Sequence, residues 1–318
     1  MKSLLPQYLF DHIKIAKLRF IFEKNGKRKI KGYSGSAWRG VIGKTLKKIF
    51  CCFKNKPCDE CMVKNNCPYY NLYERHSLEP GFSDLPRPYI FYPPPVTDNR
   101  YLILDVTLFA YGCDFVPHII MACEEAGKRG IGFERIRFCL KCVLQNTLKK
   151  EWIPVYVPGK VKETYDTNFL LIDWLNTLPC EPKNGSWKVE IRSPLRFRKN
   201  KKYLRYADWG WAFVSLARRL SLLNYLCGGF KLNSEQWLEI KSFLSQPGKV
   251  ENEIFWYDWK RYSSTQNKKI PMGGVMGRAF VDAPQSTKDI WWCWWHVANI
   301  FHLGKGTSMG LGKIEVYT

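Results

Sequence analysis

The order in which two hydrophobic periods alternate along the chain, twice over, is what most limits the folds open to it. His12 to Phe22 (HIKIAKLRFIF) alternates apolar and polar residues, the mark of a strand with one buried face. After a turn at Gly26, Trp38, Val41, Ile42, Thr45, Leu46 and Ile49 recur every three or four residues, predicting a helix that Ser36 can cap. A Pro-rich run, a strand over YLILDVTLFAYG, a short helix from Pro117 to Lys128 and a strand over FERIRFCLKCVL follow. If Tyr89 to Tyr92 supply one more short strand, the order is β-α-β-β-α-β, the ferredoxin-like (RRM-like) unit.

The second half repeats that order with one helix extra. WKVEIRSPLRFR reads as a strand, and Asp208 to Leu226 as a helix stopped by Gly228 and Gly229. Ser234 to Ser245 is a second helix, capped by Ser234. Strands over ENEIFWYDWKRYS and MGGVMGRAFVDA, a helix over 287–302 and a last strand GKIEVYT complete the set. The expected fold class is therefore α+β: two tandem ferredoxin-like domains over 1–150 and 188–318, joined by a Pro-rich connection at 151–187, with a cysteine-rich insertion at 51–67 in the first. At about 150 residues per domain, 318 residues suit two domains with cores of their own.

Charge says what such a chain meets. Fifty Lys+Arg against 28 Asp+Glu give +22, an excess that points to a polyanion. No uncharged apolar stretch reaches the 18 or so residues of a membrane span, and Pro6, Asp11 and Lys14 interrupt any leader, so a cytoplasmic protein off the membrane is expected. The cations cluster in the turn KNGKRKIK and in Arg192, Arg196, Arg198, Lys199, Lys201, Lys202 and Arg205, which are seven of fourteen residues with no acid among them. Interleaved with Leu195, Phe197, Tyr203 and Tyr206, they combine phosphate contacts with stacking surfaces, as single-stranded RNA or the end of a stem requires.

Two local patterns carry chemistry. Between the last helix and last strand, Gly304, Gly306, Gly310 and Gly312 fall within nine residues. With Lys305, Thr307 and Ser308 they can bring donors to an anion, although the order is not that of a P-loop. Cys52, Cys58, Cys61 and Cys67 are spaced C-x5-C-x2-C-x5-C. Four thiolates at such spacing predict a closed structural zinc site; reduced thiols, or an iron-sulfur cluster with Pro68 after Cys67, are the alternatives. Cys113, Cys123, Cys139, Cys142, Cys180, Cys227 and Cys293 are expected in packing, and so are Trp209, Trp211, Trp291, Trp294 and Trp295. Of Trp256 and Tyr257, neighbours on an alternating strand, one faces outward.

PMGGVMGRAF together with FHLGKGTSMGLGKIEVY resembles the C-terminal glycine-rich signature of the CRISPR-associated RAMP endoribonucleases that process precursor CRISPR RNA. GYSGSAWRGVIGKTLKKIFC, the cysteines and CPYYNLYE resemble the same family's first helix and insertion. The resemblance implies tandem ferredoxin-like domains and recognition of a repeat-RNA stem-loop. It also implies metal-independent cleavage at the base of the stem by 2′-hydroxyl attack, giving a 2′,3′-cyclic phosphate. Retention of the guide RNA and contact with other effector subunits are implied as well; a non-catalytic guide-RNA-binding subunit is the alternative.

That reaction needs a base, an acid and a cation at the phosphate. The first helix of family members often carries a catalytic histidine; here it carries none. The catalytic candidates are His76, in a loop, and His302, just before the glycine-rich loop, or else Tyr33 and Lys44 with Arg39, which is also an RNA-contact candidate. His12, His118 and His296 are expected to be structural.

Overall fold

The computed structural model describes residues 7–26, 28, 30, 32–53, 56–75, 85–160, 168–199, 201–263 and 268–318. Its internal contacts divide the chain into two compact units, Ile13–Leu171 and Met1–His12 with Ile172–Thr318. The domain boundaries thus differ from the expected ones at both ends of the first domain.

In the unit Ile13–Leu171 the elements run β1 (Lys14–Lys24), α1 (Gly35–Phe50), β2 (Tyr89–Tyr92), β3 (Tyr101–Phe109), α2 (Val116–Arg129), β4 (Phe138–Asn146), β5 (Trp152–Tyr156) and β6 (Phe169–Leu170). The antiparallel sheet has the order β2-β3-β1-β4-β5, with β6 pairing the start of β1. Alternation along β1 sends Leu18, Phe20 and Phe22 to the face covered by α1 and α2, where Trp38, Ile42, Leu46, Ile119 and Ala126 are buried with them. Phe22 stacks on Trp38 at 5.0 Å and meets Phe138 edge-on at 4.9 Å. The expected connection is no linker, because Trp152–Tyr156 extends this sheet. Residues 131–136 form a tight turn rather than the start of β4, through the antiparallel bridge between Ile131 and Ile136.

In the other unit come α3 (Leu171–Asn176), β7 (Ser186–Leu195), β8 (Arg198–Lys199), β9 (Lys202–Tyr203), α4 (Trp209–Tyr225), α5 (Ser234–Leu244), β10 (Lys249–Tyr257), β11 (Lys260–Ser263), β12 (Lys268–Pro271), β13 (Gly274–Asp282), α6 (Lys288–Phe301) and β14 (Ile314–Tyr317). The main sheet runs β10-β13-β7-β14, again antiparallel, while β8–β9 and β11–β12 are separate hairpins. Taken by place in each unit, second, third, first and fourth strands lie side by side in both sheets. Trp209, Phe213, Trp294 and Trp295 form an aromatic core, with Phe213 edge-on to Trp295 at 4.9 Å. Trp211, expected in that core, is exposed and donates from Nε1 to Arg198 O at 2.9 Å.

The first described residues belong here. Asn224 of α4, itself buried, accepts from His12 N at 3.0 Å and donates to Tyr8 O at 2.7 Å, while Phe10 packs edge-on against Trp294 at 5.6 Å. His12 therefore precedes β1 instead of lying in it. Asn233, not Ser234, caps α5, its side chain and that of Gln236 forming a capping box. Among the described residues no helix is long and apolar enough to cross a membrane.

Candidate functional site

The glycine-rich loop is built from below. At its entrance His302 turns into the left-handed region (φ 57), so its ring points inward, only 3% exposed, with Nδ1 3.2 Å from Leu311 O. Burial first, and then the neighbouring Lys313 and Arg219 charges, hold its pKa well below that of a free imidazole. The ring is a neutral clamp between the two ends of the loop and does not reach the surface, contrary to the expectation that it meets a phosphate there. Leu303 N donates to Gly312 O at 2.9 Å, Gly312 N to Pro194 O at 3.1 Å and Lys305 N to Arg196 O at 3.0 Å. Ser193 Oγ donates to Gly310 O at 2.7 Å and accepts from Lys313 N at 2.9 Å. At Gly312 (φ 73) a Cβ would lie 1.9 Å from Leu303 O, so the closure admits only glycine.

Arg219 of α4 comes up beneath this loop. It donates to Thr307 Oγ1 at 2.8 Å, to His302 O at 2.7 Å and to Phe301 O. Burial pushes its pKa down to about 10, which leaves it a cation at neutral pH, and all three partners are neutral. The loop therefore rests on a positive charge that these contacts do not cancel. Above it, Lys305 is exposed and Gly304, Gly306, Thr307 and Ser308 are half-buried. Sequence reasoning missed Arg219. The available signal was an arginine set between Leu216, Leu220 and Leu223, on the apolar side of a helix.

The seven expected RNA-contact cations separate into three kinds. Arg192 lies on the outer face of the sheet and is held by Glu315 at 2.6 Å, Glu190 at 2.8 Å and the Tyr317 hydroxyl at 2.5 Å. Arg196 is buried: Nε donates to Gly273 O at 3.1 Å, and the guanidinium stacks over Tyr203 at 4.0 Å. Lys199 is exposed and pairs with Asp208 at 3.0 Å. Arg198, Lys201, Lys202 and Arg205 are exposed on or beside the β8–β9 hairpin, with Arg205 over Trp256 at 5.2 Å. Since the Arg196 carbonyl carries Lys305 and its side chain carries Tyr203, one residue ties the glycine-rich loop to the basic hairpin. Tyr203, Tyr206 and Tyr257 are exposed and Trp256 is half-buried.

In the unit Ile13–Leu171, Tyr33 is half-buried just before α1 and Lys44 is exposed on it. Arg39 faces tyrosines: Nε donates to Tyr89 OH at 3.1 Å, the guanidinium lies 5.2 Å from the Tyr73 ring centre, and Tyr73 OH donates to Arg39 O at 3.0 Å. His76 lies outside the described residues.

The cysteines do not form the expected metal shell. Cys52, Cys58, Cys61 and Cys67, with Cys51, line a cavity of only about 20 Å³ beside Tyr69. Among the described residues no three His, Cys, Asp or Glu side chains are grouped to hold a metal ion. Burial raises the pKa of the Cys58 thiol. The tether expected of zinc comes in part from Asn71, whose Nδ2 donates to Asn65 O at 2.8 Å, Cys67 O at 3.0 Å and Lys64 O at 3.3 Å, fastening the short turn at Lys64–Asn66. Of the cysteines expected in packing, Cys113, Cys123 and Cys293 are buried, Cys142 and Cys227 are half-buried, and Cys139 and Cys180 are exposed.

Comparison with known proteins agrees with this division. Residues 13–168 match a family model described as an N-terminal domain, and residues 189–314 match that of the CRISPR-associated endoribonuclease Cas6. An uncharacterized protein of Archaeoglobus fulgidus is 27% identical over 166 residues, covering 50% of this chain and 53% of that protein, so the match spans about half of each. By fold the chain resembles Thermus thermophilus Cas6 (TM-score 0.55, 13% identity, 96% of this chain and 98% of that one). It also resembles two Cas6 product complexes. One has a TM-score of 0.56 at 14% identity, with 94% and 98% of the chains covered. The other has a TM-score of 0.56 at 13% identity, with 96% and 100% covered. The span 189–314, which contains the glycine-rich loop and its buried supports, is the part of the chain that is similar to the CRISPR-associated endoribonuclease Cas6 family.

Proposed function

We propose that the chain binds the stem-loop of a CRISPR repeat RNA through two ferredoxin-like domains and cleaves it at the base of the stem without a metal ion. The observation that carries this reading is the glycine-rich loop, which lies in the span that matches Cas6, is held over the cation Arg219 and joins the basic hairpin through Arg196. Lys305, Thr307, Ser308 and the backbone of Gly304 and Gly306 hold a phosphate of the RNA. Arg198, Lys201, Lys202 and Arg205 follow the stem backbone, because the deep major groove of A-form RNA is closed to side chains.

In the reaction a base takes the proton of a 2′-hydroxyl and the 2′-oxygen attacks the adjacent phosphorus. The 5′-oxygen leaves with a proton from an acid, so the products are a 2′,3′-cyclic phosphate and a 5′-hydroxyl, with no water consumed. His76, or else Tyr33 and Lys44, supply the proton transfers; Arg39, engaged with Tyr73 and Tyr89, positions α1. His302 is assigned to the loop clamp, since a buried neutral ring bonded to Leu311 O has no path to substrate. After cleavage the protein keeps the guide RNA and meets other effector subunits with it bound.

Incubating the protein with its repeat RNA in EDTA and mapping the ends tests the reading. A 2′,3′-cyclic phosphate is expected, and cutting that needs a divalent ion and leaves a 3′-hydroxyl would overturn it. A second reading, a subunit that grips guide RNA without cutting, is favoured by the lack of histidine in α1 and the burial of His302. It predicts tight binding with no cleavage in EDTA or in magnesium.

A further inference from the structure

Away from the glycine-rich loop, in the unit Ile13–Leu171, the chain between α2 and β4 makes a four-residue turn closed by two hydrogen bonds. Ile131 N donates to Ile136 O and Ile136 N to Ile131 O, each at 2.9 Å. Gly130 (φ 75) permits the closure, because a Cβ there would lie 2.3 Å from Arg135 O. At the apex Phe133 is wholly exposed (102%) although both flanking isoleucines are buried. A single exposed apolar side chain is ordinary. This one is held on a fixed support and sits among cations.

Arg129, Arg135 and Arg137 are exposed around it. The basic turn after β1 is fastened to the same place: Asn25 N donates to Arg137 O at 2.9 Å, Lys24 Nζ donates to Arg28 O at 2.5 Å and to Asn99 Oδ1 at 2.8 Å, and Arg28 faces Glu134 at 4.0 Å. The one acid of the apex thus faces a cation of the neighbouring turn, and an aromatic face remains among arginines.

We propose that Phe133 is a stacking platform for an unpaired base of the RNA, with Arg129, Arg135 and Arg137 holding the adjacent phosphates. The ligand must be flat and apolar in one part and anionic in another, which an unpaired nucleotide next to the stem satisfies. An anionic membrane surface would need a larger apolar face than one ring. The inference rests on the RNA-binding function proposed above and adds a second contact region to it.

The test is equilibrium binding of the full-length protein to labelled repeat RNA carrying its single-stranded flank, and to the stem alone, for wild type, F133A, F133W and R135A/R137A. F133A should weaken binding to the flanked RNA about tenfold, since one base–aromatic stack contributes on that scale, and should not change binding to the stem alone. F133W should restore wild-type affinity, and R135A/R137A should lower the slope of log K against log salt. Phe133 touches no core, so the thermal midpoint of F133A should equal that of wild type. Wild-type affinity of F133A for flanked RNA overturns the platform and leaves the RNA-binding function standing. Failure of wild type to bind repeat RNA overturns both. Loss by F133A of binding to anionic lipid vesicles, with RNA affinity unchanged, overturns the platform in favour of a membrane contact.

Discussion

His302 combines two properties that make it measurable. Its ring is buried between the ends of the glycine-rich loop, and its pKa is lowered by that burial and by Lys313 and Arg219. As the folded chain keeps the imidazole neutral while the unfolded chain protonates it near pH 6.5, the unfolded state binds the extra proton on acidification. The stability this residue contributes is complete above about pH 6.5 and is lost as the pH falls toward the lowered folded value. The unfolding free energy of wild type should therefore fall with pH by up to about 1.4 kcal/mol per unit in that window. H302Q, which keeps a polar group but cannot titrate, should flatten the profile there; an unchanged profile would deny the ring its place in the clamp.

Among the elements, the strand β7 and the hairpin after it show how sequence and structure part company. Seven cations in one acid-free stretch read as one surface, yet of these seven only Arg198, Lys201, Lys202 and Arg205 are exposed without a carboxylate partner among the described residues. Arg192 meets Glu190, two residues before it and just outside that stretch, and Glu315 on β14, the second of which no local window could show. Neutralising Lys201, Lys202 and Arg205 together should lower the slope of log K against log salt by about 0.7–0.9 for each phosphate that no longer meets a cation, whereas R192A should leave it within error. The alternation of β1 and the period of α1 were legible because neighbouring residues decide them. In the cysteine stretch spacing cannot say how thiols that line one cavity are placed for a metal ion, and part of the tethering falls to Asn71, whose three acceptors lie four to seven residues upstream. Replacing it, N71A, should cost about 1 kcal/mol of stability, read by chemical denaturation, as part-buried hydrogen bonds to Lys64 O, Asn65 O and Cys67 O are lost. Protein purified without chelator should hold no stoichiometric zinc by metal analysis.

For the whole molecule, the two halves were legible as repeats of one element order, and the boundary between them was not. Periodicity reports strands and helices but is silent on which core a terminal segment joins, and the segment around Phe10 joins the core made by α4 and α6 through Asn224 and Trp294. Removing residues 1–12 should consequently lower the unfolding midpoint of the unit that contains the C-terminus, read by the fluorescence of its buried tryptophans, and N224A should do part of the same.

The place where the chain crosses between the units has a consequence of its own. The crossings fall after residue 12 and after residue 171, and Leu171 N donates to Ile13 O at 2.9 Å, so both strands of the crossing run side by side. In chain order the first unit is thus a cassette spliced into the second, its entry and exit a hydrogen bond apart. Excising 13–171 and joining 12 to 172 by a few glycines should leave a continuous, foldable polypeptide, whereas a single protease nick between 171 and 172 should leave two fragments that co-elute.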